Sequence, residues 1–281
     1  MENAAHGTVG RSAVLRSEKL DTMTVDKPWG VTRLPPPFAA AADRRVGEIW
    51  FRPPEGSPLL VKYIFTSERL SIQVHPGDEQ AKARGLASGK EECWYILDAE
   101  PGAVLGIGTR ARLGEAELAD AARSGAIEDL MEWHPVEAGM FFYIPAGTVH
   151  AIGAGVSLVE IQQNADITYR LYDYGRPREL HLADGTAVAS AAPMPADLER
   201  RVEPDVSALL LDSDHLGVAY FAAGDLSLLG EVPGDAMIVP LRGDVTVGGV
   251  SARAGECIWT EAAGSLEASS DARFLVGWHK V

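Results

Sequence analysis

Cysteine is scarce in this chain of 281 residues: Cys93 and Cys257 are too few for a disulfide framework. Read as reduced thiols, with Cys93 inside a strand-like run, they fit a cytoplasmic setting. Positive charge is also in deficit, with 25 lysines and arginines against 40 acidic residues and a formal net charge of −15. Such a surface repels nucleic acids and anionic membranes, so neither is expected as a partner. The first 22 residues are polar and alanine-rich, with no apolar run long enough for a signal peptide or membrane span. Residues 1–22 are therefore expected to form a flexible extension, with Met23 as an alternative start. What is plentiful is apolar content, at 46%, enough for one large or two ordinary domains.

Strand signals dominate the chain from residue 23 to 186. The run Ser71-Ile72-Gln73-Val74-His75 alternates between two faces, so Gln73 and His75 point the same way, and Pro76-Gly77-Asp78 closes it as a turn. A second run, Glu91 to Leu97, opens with Glu92, a carboxylate that faces the same interior if the two strands pair. Farther on, two apolar strands flank Pro145-Ala146-Gly147, and His150 follows that turn, where a neighbouring barrel strand would bring it beside His75 and Glu92. A lone His75 would be read as an ordinary buried or surface histidine. In the company of Gln73, Glu92 and His150 it reads as a metal ligand: two imidazoles, a carboxylate and an amide oxygen suit one divalent ion, zinc or another. His134, His181, His215 and His279 lack such company and receive no role.

Between about residues 113 and 133 the apolar spacing becomes helical, broken at Gly125, which predicts a small helical insertion. Alternation fades after Arg176, and residues 187–205, alanine-rich with Pro193 and Pro195, are expected to be a linker. Strand signals resume over 206–281 as a faint internal repeat. Ala254 to Trp259 echoes Ala138 to Tyr143, and Met237 to Leu241 stands where Cys93 to Leu97 stands. In that alignment Ala236 replaces Glu92 and Glu267 replaces His150, so the copy has lost its ligands. The expected fold is all-β and mainly antiparallel: two jelly-roll barrels, the second degenerate.

Several segments, in order, resemble the cupin (type I) mannose-6-phosphate isomerases in their short bacterial form. They are Lys27-Pro28-Trp29-Gly30, Gly47-Glu48-Ile49-Trp50, the QVHP at 73–76, Gly89-Lys90 with Glu92 and Trp94-Tyr95, the PAGTVHAI at 145–152, and TYRLYDYGR at 168–176. The resemblance implies a double cupin fold, one zinc ion, and interconversion of mannose 6-phosphate and fructose 6-phosphate through a cis-enediol. It gives Lys90 and Arg170 roles at the sugar phosphate, Ser71 a substrate contact, and Glu160 proton transfer, for which burial would have to lift its pKa toward neutrality. The implied partner is a phosphorylated hexose. The oligomeric state is left open, a monomer being compatible. Two rivals are a metal-dependent sugar-phosphate sensor without activity, or an isomerase of another sugar phosphate. A cupin dioxygenase is disfavoured, because oxygen-activating sites rely on histidine-rich sets and Gln73 and Glu92 dilute this one.

Overall fold

A computed structural model describes residues 15–39, 43–222, 224–232 and 234–280; residues 1–14 of the expected extension lie outside them. In chain order come β1 (Ser17–Lys19), β2 (Thr22–Val31), β3 (Val46–Phe51), β4 (Leu59–Phe65) and β5 (Ile72–Val74), then helix α1 (Asp78–Lys82). β6 (Glu92–Ala99) and β7 (Val104–Thr109) precede helices α2 (Glu115–Ser124) and α3 (Ile127–Leu130). Next are β8 (Met131–Pro135), β9 (Met140–Ile144), β10 (His150–Ile152), β11 (Val156–Gln163), β12 (Tyr169–Tyr172) and helix α4 (Leu182–Val188). The remainder holds β13 (Glu199–Arg201), β14 (Ala208–Asp212), β15 (Leu216–Ala222), β16 (Ala236–Arg242) and β17 (Asp244–Val247). It ends with β18 (Val250–Arg253), β19 (Ile258–Thr260), β20 (Glu267–Ala268) and β21 (Arg273–His279).

These strands pair into four sheets. The first barrel joins a seven-stranded sheet, β13-β9-β6-β11-β4-β3-β2, to a five-stranded one, β12-β5-β10-β7-β8. In the second, a six-stranded sheet, β1-β19-β16-β21-β15-β14, faces a three-stranded one, β18-β17-β20. The neighbours named pair antiparallel, as expected for an all-β chain built from turns. The order β9-β6-β11-β4-β3 recurs as β19-β16-β21-β15-β14, so the internal repeat is a repeat of topology.

β4 shows why alternation is weak in the large sheets. All seven residues of Leu59–Phe65 are buried, because one face lines the first barrel and the other packs on the second. Ile64 joins Trp94, Ile96, Phe142 and Leu158 in the core between the first barrel's two sheets. Val61, Tyr63 and Phe65 instead meet Val218, Tyr220, Val239 and Leu275 in a core shared by the barrels. At Gly277 an added Cβ would come within 2.9 Å of Ile161, so the absence of a side chain lets the two sheets close. The helical insertion is found as α2 and α3; Leu118, Ala121, Ala122 and Ile127 cover Ile72, Val74 and Leu171 of the five-stranded sheet.

One expectation is corrected and one is extended. The predicted flexible extension does not reach residue 22, because β1 pairs with β19, from Ser17 opposite Thr260 to Lys19 opposite Ile258. Residues 187–205, expected to be a linker, also contribute a strand. β13 extends the edge of the first barrel's large sheet, Glu199 opposite Phe142, while Ser190 and Pro193 bridge to Thr148 and Gly108. In both places a short segment satisfies backbone groups on an edge strand that would otherwise lack partners.

Candidate metal centre

β5 with the residue that follows it, β6 and β10 carry the candidate ligands. β10 lies between β5 and β7, which puts His150 directly opposite Gln73. The turn before it places Gly147 at φ +85°, a backbone region open to glycine, and its N–H donates to the carbonyl of His75 at 2.8 Å. Glu92 begins β6, paired on one side with Gln162 of β11 and on the other with Ile144 of β9. Just upstream, a Cβ on Gly89 would collide at 2.5 Å with the backbone of Gly77, so glycine is needed where the two loops cross. Among the described residues, His75, Glu92 and His150 are the group of metal-ligating side chains that converges, with one ligand atom from each lying within 4.8 Å of the others. All three are buried.

The hydrogen bonds around this group decide what it can hold. His75 donates from Nδ1 to the Ile167 carbonyl at 2.6 Å and His150 from Nδ1 to the Thr148 carbonyl at 2.8 Å. Each ring therefore carries its proton on Nδ1 and turns an unprotonated Nε2 inward. Those Nε2 atoms lie 3.4 and 3.3 Å from the two oxygens of Glu92, and the Oε2 of that pair also meets the Lys90 ammonium at 2.5 Å. Burial, then the charge of Lys90, push the His75 pKa well below the usual 6.5. Burial likewise brings His150 down to about 4, so both rings are neutral at physiological pH. Two neutral imidazole lone pairs and a carboxylate, converging in a buried space, are the donors a divalent cation binds, and such an ion would take over the contacts that Lys90 and the Gln73 amide now make with them. The donor set thus fits a single zinc ion.

Gln73 adjoins the group. Its Oε1 accepts from the Ser71 hydroxyl at 3.0 Å and its Nε2 donates to His150 Nε2 at 3.3 Å. Turning the amide over would present its oxygen to an ion shared with His150 and leave Ser71 an N–H to accept. Gln73 and Lys90 also line a pocket shared with Ser71, Glu160 and Arg170. The pocket gathers the predicted substrate residues beside the predicted ligands.

Local charge in this pocket opposes the charge of the whole chain. Lys27, Lys62, Lys90, Arg170 and Arg178 line it against Glu48, Glu160 and Asp166. Lys90 sits 2.5 Å from Glu92 and 3.8 Å from Glu160, and donates to His75 Nε2 at 3.1 Å. Burial disfavours its charge, but Glu160 and Glu92 outweigh burial and raise its pKa. Lys62, which the sequence reading passed over, lies buried 3.3 Å from Glu160 and over the Trp50 ring. Burial lowers its pKa against the pull of Glu160. A single charged residue inside the apolar run Leu59–Phe65 was the signal available for it.

Glu160 departs from expectation. Burial does raise its pKa, but Lys90, Lys62 and the Trp94 indole, which donates at 3.0 Å, outweigh burial and hold the carboxyl at about 2. Its two lysine partners favour the ionised form, the opposite of the rise toward neutrality that the implied role calls for. Burial, then the Glu160 charge, push Glu92 the other way, to about 7, and a bound cation would reverse that shift. Arg170 donates to the Glu179 carbonyl at 2.8 Å, while its buried Nε has no partner. Burial, then the neighbouring Arg178, lower its pKa against the pull of Asp173 and Glu179.

Comparison with known proteins agrees with this geometry. The chain is 40% identical over 180 residues to the Bacillus subtilis protein named mannose-6-phosphate isomerase ManA, a match covering 62% of this chain and 56% of that one. The chain spans about half the length of the curated relatives it matches. The crystal structure of the Bacillus subtilis mannose 6-phosphate isomerase superposes over 92% of this chain and 98% of its own, with a TM-score of 0.70 at 24% identity. A zinc-bound mannose 6-phosphate isomerase superposes over 94% and 100%, with a TM-score of 0.70 at 14% identity. No family model matches. No helix among the described residues is long and apolar enough to cross a membrane. Over part of its length the chain is similar in sequence to proteins named mannose-6-phosphate isomerase, and across both barrels it shares the fold of solved mannose 6-phosphate isomerases.

Proposed function

We propose that the chain is a metal-dependent aldose–ketose isomerase that interconverts mannose 6-phosphate and fructose 6-phosphate. One observation carries the reading: a buried His75–Glu92–His150 group, poised for a cation, adjoins a pocket that concentrates positive charge on an acidic protein. The names of the relatives supply the sugar. His75, Glu92, His150 and a turned Gln73 would hold a zinc ion, which when bound supplies Lewis acidity toward the sugar's carbonyl and hydroxyl oxygens.

The chain's own residues do the rest. Arg170, which lines the pocket and has an Nε without a partner, takes the phosphate. Ser71 orients Gln73. Lys90 stays charged between Glu92 and Glu160, beside the sugar oxygens on which negative charge grows. For moving the proton from carbon 2 to carbon 1 we assign Lys62, whose buried amine gives up its proton more readily than a free lysine, with Glu160 as the fixed counter-charge. A cytoplasmic location fits two buried free thiols.

Purified protein should convert mannose 6-phosphate to fructose 6-phosphate, stop on chelation and resume when zinc is returned. Activity that resists exhaustive chelation would remove the metal from the reading. A zinc-loaded chain that binds the sugar phosphate but turns none over would make it a sensor.

A further inference from the structure

Glu91 lies between two residues of the site, Lys90 and Glu92, yet its side chain is engaged elsewhere. Its Oε2 accepts from the Tyr143 hydroxyl at 2.7 Å and from the Ser213 hydroxyl at 3.0 Å. Tyr143 is on β9, beside β6, but Ser213 belongs to the second barrel, in the turn between β14 and β15. That turn is itself braced: Ser213 N donates to the Leu216 carbonyl at 2.9 Å, and Leu216 N returns a bond to the Ser213 hydroxyl oxygen at 2.9 Å. His215, on the same turn, brings Nε2 within 4.0 Å of Glu91 Oε1.

The main chain of Glu91 is held from the other direction. Its N–H donates to Gln163 Oε1 at 2.9 Å, and its carbonyl accepts from Gln163 N at 3.0 Å. Gln163 Nε2 donates to Asp78 Oδ1 at 3.0 Å, and the same oxygen accepts from Gly89 N at 2.9 Å. Lys90 N donates to the Pro76 carbonyl at 3.0 Å. These bonds fasten together the loop after His75, the end of β11 and the start of β6. A carboxylate placed to serve two imidazoles within tenths of an ångström needs such fastening, because a small rotation at Glu91 moves the Glu92 oxygens away from His75 and His150.

We propose that Glu91 is a positioning residue through which the second barrel, by way of Ser213, sets the geometry of the metal centre in the first. The inference rests on the reading of His75, Glu92 and His150 as ligands. It gives the ligand-free barrel a part in the chemistry beyond the packing that its apolar strands provide.

The test uses the full chain, stripped of metal and titrated with Co2+, whose visible absorption reports coordination geometry. Ser213→Ala and Glu91→Ala should each weaken Co2+ binding about tenfold and change the absorption spectrum. Glu91→Gln, which keeps an acceptor oxygen for both hydroxyls, should restore the spectrum and most of the affinity. The double variant Glu91→Ala, Ser213→Ala should be no worse than Glu91→Ala, because both act through one contact. Should Glu91→Ala fail to fold, Ser213→Ala against the native chain decides alone. Native affinity and spectrum in Ser213→Ala, or full additivity in the double variant, would overturn the proposal. A native chain that binds no Co2+ would instead overturn the ligand reading on which it stands.

Discussion

In the first barrel β6 opens with Glu92, and in the second β16 opens with Ala236; both are buried. Around Glu92 the interior is polar, with His75, Lys90, His150, Glu160 and Lys62 all buried. Around Ala236 it is apolar, made of Phe221, Ile238, Val245, Ile258, Phe274 and Val276. His150 opens β10 and has β5, with Gln73, on one side. Its counterpart Glu267 opens β20, lies exposed, and pairs with Thr246 of β17 alone among the described strands. Among the described residues, the second barrel therefore lacks a counterpart of the strand that carries Gln73 and leads into His75, as well as the ligand residues themselves. The comparison teaches that this fold stands on apolar packing and that a polar interior is an added cost, kept where the chemistry needs it.

Breaking the comparison means giving the second barrel a ligand. Ala236→Glu should lower stability by about 5 kcal/mol, since a lone carboxylate among Phe221, Ile238 and Val276 has neither counter-charge nor donor. Chemical denaturation should register that loss, and the variant should bind no additional metal. A stable Ala236→Glu protein with a second bound ion would mean that the second barrel retains a latent site.

How much of this was legible beforehand follows from the range of each signal. His75, Glu92 and His150 could be read because alternation and a Pro-Ala-Gly turn are local, and the structure brings one ligand atom from each within 4.8 Å of the others. The pairing of Ser17–Lys19 with Ile258–Thr260 could not, because those partners lie some 240 residues apart and SEK carries no strand pattern. Glu160 was legible as a carboxylate near the pocket, but the direction of its pKa was not. Its pKa depends on Lys62 and Lys90, which reach it from two other strands or loops.

Acidification sharpens the comparison, because the fully buried histidines among the described residues, His75 and His150, sit in the first barrel. Burial keeps His150 at about 4 instead of 6.5, so the folded chain takes up that proton later than the unfolded one. Stability from this group is complete above about pH 6.5 and is lost as pH falls toward 4, by about 3 kcal/mol. Glu92, at about 7, has the opposite sign: its contribution is present below about pH 4.5 and disappears as pH rises through 7. Denaturation of chelated protein should show both slopes, and added zinc should remove the Glu92 slope. A profile that zinc leaves unchanged would mean that Glu92 does not meet the ion.

A smaller effect separates substrate from metal within the first barrel. Arg170→Ala should lower kcat/KM about thirtyfold, roughly 2 kcal/mol, chiefly through KM, with zinc content retained. If zinc were lost with Arg170, the residue would support the ion and not the phosphate.

The most direct test of the account is metal content per chain. Native protein should carry one equivalent of zinc, and His75→Ala and His150→Ala should each carry almost none while remaining folded. Two equivalents in the native chain, or one that survives both substitutions, would contradict the assignment of a single centre to the first barrel.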